Sequence, residues 1–198
     1  MSIADAIESS IFLRPLNYLR VRSEYARLYN WIYPTVITVV IYLICKLTPT
    51  PKGFDAFEEV FSQVSKILTI LLPFYIASLA AVSTFTGAKF LDLPFASRIP
   101  LTLKIKLSES QWDTLILTPR NFLRLLFSYC TLSSLFLLVF LFARPIIIFS
   151  ATNLPDSVAG TTVATIEIIA LFFTSQLCLA TIIGVYFLSD YLVRNDDN

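Results

Sequence analysis

Two oppositely charged residues stand at the edges of long charge-free runs. Arg144 follows the run 125–143, and Glu167 precedes the run 168–189. If both runs are antiparallel membrane helices, the two side chains lie at a similar depth, where an unpaired charge in hydrocarbon is costly. We therefore predict an ion pair between Arg144 and Glu167. It would be a gate at a pore mouth or a structural link between helices; the alternative is two separate groups reaching toward water.

A stripe of small and polar residues shares one helix face with Glu167. Steps of three or four residues from Glu167 reach Ala170, Thr174, Cys178 and Thr181, and this spacing places side chains on one side of a helix. Such a stripe can pack against another helix or line an aqueous path. Packing is the simpler interpretation for a single chain, whereas copies around a common axis would form a polar ring.

The composition disfavours chemistry that depends on histidine or on paired cysteines. The chain has no histidine, and its three cysteines, Cys45, Cys130 and Cys178, are widely separated in or beside apolar runs. No CxxC spacing indicates a zinc site or a disulfide framework. We expect a protein that is not an enzyme and that uses no cofactor and no metal.

Four charge-free runs decide the class of protein. Each contains 18 to 22 residues, and a helix of that length spans about 30 Å, the thickness of a bilayer's hydrocarbon core. Mean hydropathy is +0.73 and 15% of residues are charged, against about 25% in typical soluble chains. We predict an all-α integral membrane protein with four transmembrane helices. The runs are 28–45, 67–88, 125–143 and 168–189.

The distribution of basic residues gives the orientation and the segments. Of the 15 Lys and Arg residues, 11 fall on the side that carries both termini, which the positive-inside rule assigns to the cytoplasm. We expect a protein of the bacterial inner membrane with both termini inside, and amphipathic helices at the inner surface in 1–27. The remaining segments are the spans 28–47, 67–88, 122–149 and 158–190, the outer loops 48–66 and 150–157, and the cytoplasmic segments 89–121 and 191–198.

The predicted cytoplasmic segment contains the apolar–polar alternation that is typical of a β-strand. Residues 101–107 alternate strictly between apolar and polar, turn residues follow at 108–113, and 114–118 form a second short strand, which together predict a β-hairpin. A two-stranded hairpin is marginal alone in water. It must pack on its own membrane domain, on another copy or on a partner protein, and nucleic acid is the weakest alternative. The candidate docking residues are Leu101, Leu103, Lys104, Ile105, Lys106, Leu107 and Trp112.

One resemblance to a known class of protein rests on the stretch LTLKIKLSESQWDTLILTPRNFLRLLF (101–127), joined to four compact spans without a transport motif. In this arrangement the chain resembles the small membrane effectors of bacterial anti-phage systems, especially those encoded beside a retron reverse transcriptase. The resemblance implies a toxin that a reverse transcriptase–nucleic-acid complex keeps silent and that permeabilises the membrane on infection. Its candidate partners are the lipid bilayer, that complex or another cytoplasmic protein, and further copies of the chain.

Two other functions compete with this expectation. A non-catalytic scaffold or accessory subunit of a larger membrane complex would have the same composition. A lipid-modifying enzyme is weaker, because histidine is absent and Glu167 is a lone intramembrane carboxylate. Depolarisation of the membrane on expression would distinguish an effector from a scaffold.

Overall fold

Four long helices make up most of the protein. The structure is a computed structural model that describes residues 11–21, 26–48, 55–84, 101–106, 112–151, 153 and 155–193. In these ranges, four helices are long and apolar enough to cross a membrane, which confirms the predicted number. They are α1 (Leu28–Leu47), α2 (Ala56–Thr84), α3 (Pro119–Ala151) and α4 (Asp156–Val193).

The helix boundaries follow from local side-chain chemistry. The Asp55 carboxylate accepts a hydrogen bond from the Phe57 N–H at 2.9 Å and caps the start of α2. At the start of α3, Thr118 Oγ1 accepts from the Asn121 N–H at 3.4 Å. Pro119 occupies the first helical position, where its missing N–H leaves no bond unmade. The two caps fix where α2 and α3 begin.

The two central helices of the bundle are α3 and α4, which pack against each other. On their outer sides, α2 packs along α3 and α1 packs along α4. The buried core includes Tyr75 of α2, Leu126 and Phe127 of α3, and Ala170 of α4. Gly184 of α4 marks a close approach of the two central helices, because a Cβ added there would lie 2.8 Å from Leu126 Cδ2.

A 3₁₀ helix, Ile11–Arg20, precedes the bundle and packs on the start of α3. The rings of Tyr18 and Tyr129 stack with their centroids 5.0 Å apart. Burial, more than the nearby Cys130 and Tyr129, raises the pKa of Tyr18 above its ordinary value. Tyr18 and Val21, two apolar residues of the segment predicted to lie at the inner surface, are buried in the protein. Residues 1–10 lie outside the described ranges.

Two short strands pair between α2 and α3 in the chain. Strand β1 (Thr102–Lys106) runs antiparallel to β2 (Trp112–Ile116), with Leu103 opposite Leu115. The second strand begins earlier than predicted, because Trp112 and Asp113 pair with β1 instead of turning. Leu103 and Leu117 pack with Val21 in a small apolar cluster that attaches the strands to the bundle. The connection 107–111 lies outside the described ranges.

Candidate functional site

Charged side chains from three helices gather at one end of the bundle, which we call the charged end (Lys46, Arg144 and Glu167). Lys46 Nζ of α1 lies 3.6 Å from Glu167 Oε2 of α4, and the lysine side chain is 48% exposed. Glu167 and Arg144 are only 3% and 6% exposed. The positive charges of Lys46 and Arg144 both attract the carboxylate, and Asp55 repels it. The result is a buried carboxyl group that has two basic side chains from different helices near it.

Aromatic rings of α2 cover both cations. Lys46 Nζ lies 4.8 Å from the ring centroid of Phe57, and the Arg144 guanidinium carbon lies 4.9 Å from that of Phe61. The two phenylalanines are one helical turn apart and stack on each other. A cation over an aromatic face is attracted by the ring's quadrupole, most strongly where water is scarce. All four helices therefore contribute to the charged end.

In the structure, the ion-pair partner of Glu167 is Lys46 and not the predicted Arg144. Among the described residues, the side chain within ion-pair distance of Glu167 is Lys46. Arg144 of α3 instead packs over Phe61 of α2, the helix that lies along α3. Lys46 ends the first apolar run, so the same argument from matched depth could have identified it. Arg144 Nε and Glu167 Oε2 are buried and have no hydrogen-bond partner in the described part of the chain.

A buried amide, Gln176, joins three helices further along α4. Its Oε1 accepts a hydrogen bond from the Tyr129 hydroxyl at 2.7 Å, and its Nε2 donates to the Asn30 carbonyl at 3.0 Å. Pro34, four residues after Asn30, has no N–H with which to satisfy that carbonyl in α-helical fashion. Gln176 supplies the missing donor. We did not predict this role, although Gln176 is the one amide side chain in the run 168–189.

Two further polar contacts connect α4 to its neighbours. Thr38 Oγ1 of α1 donates to Ser175 Oγ at 3.4 Å. The Tyr75 hydroxyl of α2 forms a hydrogen bond with Thr181 Oγ1, and either group can be the donor. Together with Gln176, these contacts place polar groups of α4 against each of the other three helices.

The predicted polar stripe on α4 is only partly a helix interface. Ala170 is buried and Thr181 contacts Tyr75, as packing requires. Cys178, however, is exposed, and the hydroxyl of Thr174 donates to the carbonyl of its own helix at Ala170. Because the bundle buries a neighbouring face of α4, Ser175 and Gln176 occupy the positions that the prediction gave to Thr174 and Cys178.

Buried and half-buried polar groups form a series along α4. Glu167 lies at the charged end, Ser175 and Gln176 lie in the middle, and Thr181 follows. From residue 167 to residue 181 a helix rises about 20 Å, roughly two thirds of a bilayer's hydrocarbon thickness. Polar residues within a membrane bundle are expensive and are typically functional. This series is the candidate functional site.

The opposite end, which we call the strand end, carries the 3₁₀ helix, the two strands and two arginines. Arg120 and Arg124 of α3 donate to the carbonyls of Val82 and Ser83, each at 3.3 Å. These carbonyls belong to the last turn of α2, where a helix has no backbone donors left and carries partial negative charge. The arginines therefore cap α2 and connect it to α3.

The candidate docking residues divide into two groups. Leu103 is 4% exposed and Leu101 packs beside it, so the described apolar side chains of this segment pack on their own chain, one of the three expected alternatives. The side chains of the others lie outside the described part of the structure, and their role stays a prediction. They are Lys104, Ile105, Lys106, Leu107 and Trp112.

The described residues contain no candidate metal site, and comparison with known proteins finds no relative. In the described ranges, no cluster of three or more His, Cys, Asp or Glu side chains could hold a metal ion. Comparison with protein-family models, with curated proteins and with solved structures finds no match to this chain. The function must therefore be argued from the geometry of the bundle.

Proposed function

We propose that this chain is a membrane effector that permeabilises the bilayer, and that a cytoplasmic regulator holds it silent. The observation that carries this proposal is the series of buried and half-buried polar groups along α4. It begins at the paired Glu167 and continues through Ser175 and Gln176 to Thr181. The series makes contacts with all three other helices, so a shift of α4 would break several polar contacts at once and leave their groups in need of water.

The closed arrangement is held by contacts that can exchange with water. Glu167 is attracted by Lys46 across 3.6 Å, and Lys46 is itself half exposed. A buried carboxylate that loses its cation is strongly destabilised in hydrocarbon and is stabilised again by water. In the proposed open state, water and ions enter at the charged end and pass along α4, whose polar groups point toward different neighbouring helices. The rings of Phe57 and Phe61 form the constriction.

The orientation belongs to the same proposal. The positive-inside distribution, with 11 of 15 basic residues on one side, supports an inner-membrane protein whose termini and strand end face the cytoplasm. A regulator, such as the reverse transcriptase–nucleic-acid complex that the resemblance implies, would then act on the strand pair. Because Leu103 packs with Val21 and Leu117, the exposed residues of β2, Thr114 and Ile116, are the surface offered to that regulator.

Induced expression in bacteria with a potential-sensitive dye tests the proposal. We expect the wild-type chain to depolarise the membrane and Glu167→Gln, which removes the buried charge, to do so much less at equal membrane abundance. Cys178→Ala is the matched control on the same helix, because Cys178 is exposed. Failure of the wild-type chain to depolarise in the absence of its regulator would favour the scaffold alternative.

Orientation is tested separately with reporters fused after Asn198 and within 108–111. Both reporters are expected in the cytoplasm if the chain crosses the membrane four times with both termini inside. Export of either reporter would contradict the proposed orientation without bearing on the polar series.

A further inference from the structure

A basic cavity lies at the strand end, between the 3₁₀ helix, the strand segment and α3. Its volume is about 490 Å³, and Arg14 and Arg124 line it from two different elements. Asn121 and Ser128 of α3 add an amide and a hydroxyl, and Leu103 and Leu117 close one side. This volume falls within the range of about 300–1,000 Å³ that is usual for ligand sites.

The charge in this cavity is not balanced by the described residues around it. No Asp or Glu lies among its described lining residues, whereas two guanidinium groups do. One nitrogen of Arg124, Nη2, donates to the Ser83 carbonyl, while Nε is buried without a partner in the described part of the chain. An anion in the cavity would neutralise the two guanidinium groups that line it.

The chemistry of the lining selects the kind of anion. Arginine forks match the oxygens of phosphate and can bind them through two parallel hydrogen bonds, and hydroxyl and amide groups add further donors. The depth of the cavity agrees, because its α3 residues 121–128 include the beginning of the charge-free run at 125. Phosphates of membrane lipids lie at the ends of transmembrane helices.

A second cavity at the same end has a different character. It measures about 480 Å³ and lies between the 3₁₀ helix, α1 and the end of α4. Its lining is aromatic and aliphatic, with Tyr18, Phe122 and Phe187 among its residues, and contains no arginine or lysine. Of these two cavities, judged by their described lining residues, the one beside Arg14 and Arg124 is therefore the basic one.

We infer that the cavity between Arg14 and Arg124 is a binding site for a phosphate group, and that the group is the headgroup phosphate of an anionic phospholipid. The lipid would join the 3₁₀ helix to α3 and the strand segment, since these elements share the cavity. The inference does not rest on ion conduction, and it applies equally if the chain is a scaffold.

The test uses the purified full-length chain in detergent micelles, titrated with short-chain phosphatidylglycerol while its melting temperature is followed. We expect a saturable rise for the wild-type chain. Arg14→Gln should raise the half-saturating concentration about tenfold, the loss expected for one charge-assisted hydrogen bond. Arg14→Lys, which keeps the charge but not the fork, should be intermediate. Arg27→Gln is the matched control, because it removes the same charge. Arg27 is exposed, like Arg14, but lies outside the cavity.

The other arms identify the source of the phosphate. Short-chain phosphatidylcholine should give no saturable rise, and glycerol phosphate alone should act only at much higher concentration. If glycerol phosphate matches the lipid, the site is a phosphate site for a soluble ligand and the lipid assignment is wrong. If phosphatidylcholine matches phosphatidylglycerol, or if Arg14→Gln and Arg27→Gln weaken the effect equally, no specific phosphate site exists.

Discussion

At the charged end, an ion pair at 3.6 Å and the faces of aromatic rings hold Lys46, Arg144 and Glu167. Two of their buried atoms have no hydrogen-bond partner among the described residues. Toward the strand end, neutral groups such as Gln176 and Tyr129 make direct hydrogen bonds, and arginines cap α2. The first arrangement depends on charges that water can also stabilise. The second depends on hydrogen bonds, which require donor and acceptor to keep fixed positions.

This difference assigns the two ends different tasks. Interhelical hydrogen bonds and close packing fix how the helices sit relative to one another. An attraction between a half-exposed lysine and a buried carboxylate is worth less and can be exchanged for water. We therefore expect the strand end to determine stability and the charged end to determine opening. The following substitutions test that division, from the largest expected effect to the smallest.

Packing of the two central helices should give the largest loss of stability. A Cβ at Gly184 would already lie 2.8 Å from Leu126 Cδ2, so in Gly184→Leu the side chains of Leu126 and Phe127 must shift or α3 and α4 must separate. We expect a loss of about 3 kcal/mol in unfolding free energy, typical of severe overpacking. Gly160→Leu near the charged end is the control, because a Cβ there meets nothing within 4 Å. Unfolding in mixed detergent micelles measures both, and equal losses would contradict the packing difference.

Removal of the buried amide should cost less. Gln176→Leu leaves the Asn30 carbonyl without its donor and the Tyr129 hydroxyl without its acceptor. The expected loss is about 1–2 kcal/mol, as for other interhelical hydrogen bonds in membranes. Cys178→Leu, two residues away on an exposed position, should change the unfolding free energy little. A Gln176→Leu variant as stable as the wild type would show that the network does not hold the helices.

Charge coupling at the charged end should be the smallest of the three effects on stability. A double-mutant cycle with Lys46→Met and Glu167→Gln should give a coupling of about 1 kcal/mol, because Lys46 is half exposed. The cycle with Arg144→Met and Glu167→Gln should give less, since Arg144 packs over Phe61. The same unfolding assay measures both cycles. If Glu167 is coupled more strongly to Arg144 than to Lys46, the ion pair predicted from the sequence is correct.

The sequence predicted the elements of this fold better than their contacts. Length and lack of charge are properties of one segment, so four runs were enough to predict four spanning helices. The face that each helix buries depends on which helix packs beside it, and the spacing of residues along α4 does not contain that information. For this reason the predicted stripe includes Cys178, which is exposed, and omits Gln176, which is buried.

Signals for the overlooked contacts were nevertheless present in the chain. Pro34 removes the N–H that would bond the Asn30 carbonyl in an α-helix, so a buried donor from elsewhere was required. Lys46 lies at the end of its run and was available at the same depth as Glu167. In the first case the Asn30 carbonyl lacks a backbone donor, and in the second Glu167 requires a cation. Which residue supplies each one is known only when the neighbouring helix is known.

Ion flux through the purified protein tests the central claim most directly. The chain would be reconstituted without any partner into liposomes that carry a potassium gradient, and dissipation of the gradient would be followed with a potential-sensitive dye. We predict rapid dissipation with the wild-type chain, much slower dissipation with Glu167→Gln, and wild-type rates with Cys178→Ala. Liposomes that keep their gradient with the folded wild-type chain present, or a Glu167→Gln variant as permeable as the wild type, would contradict the proposed polar path.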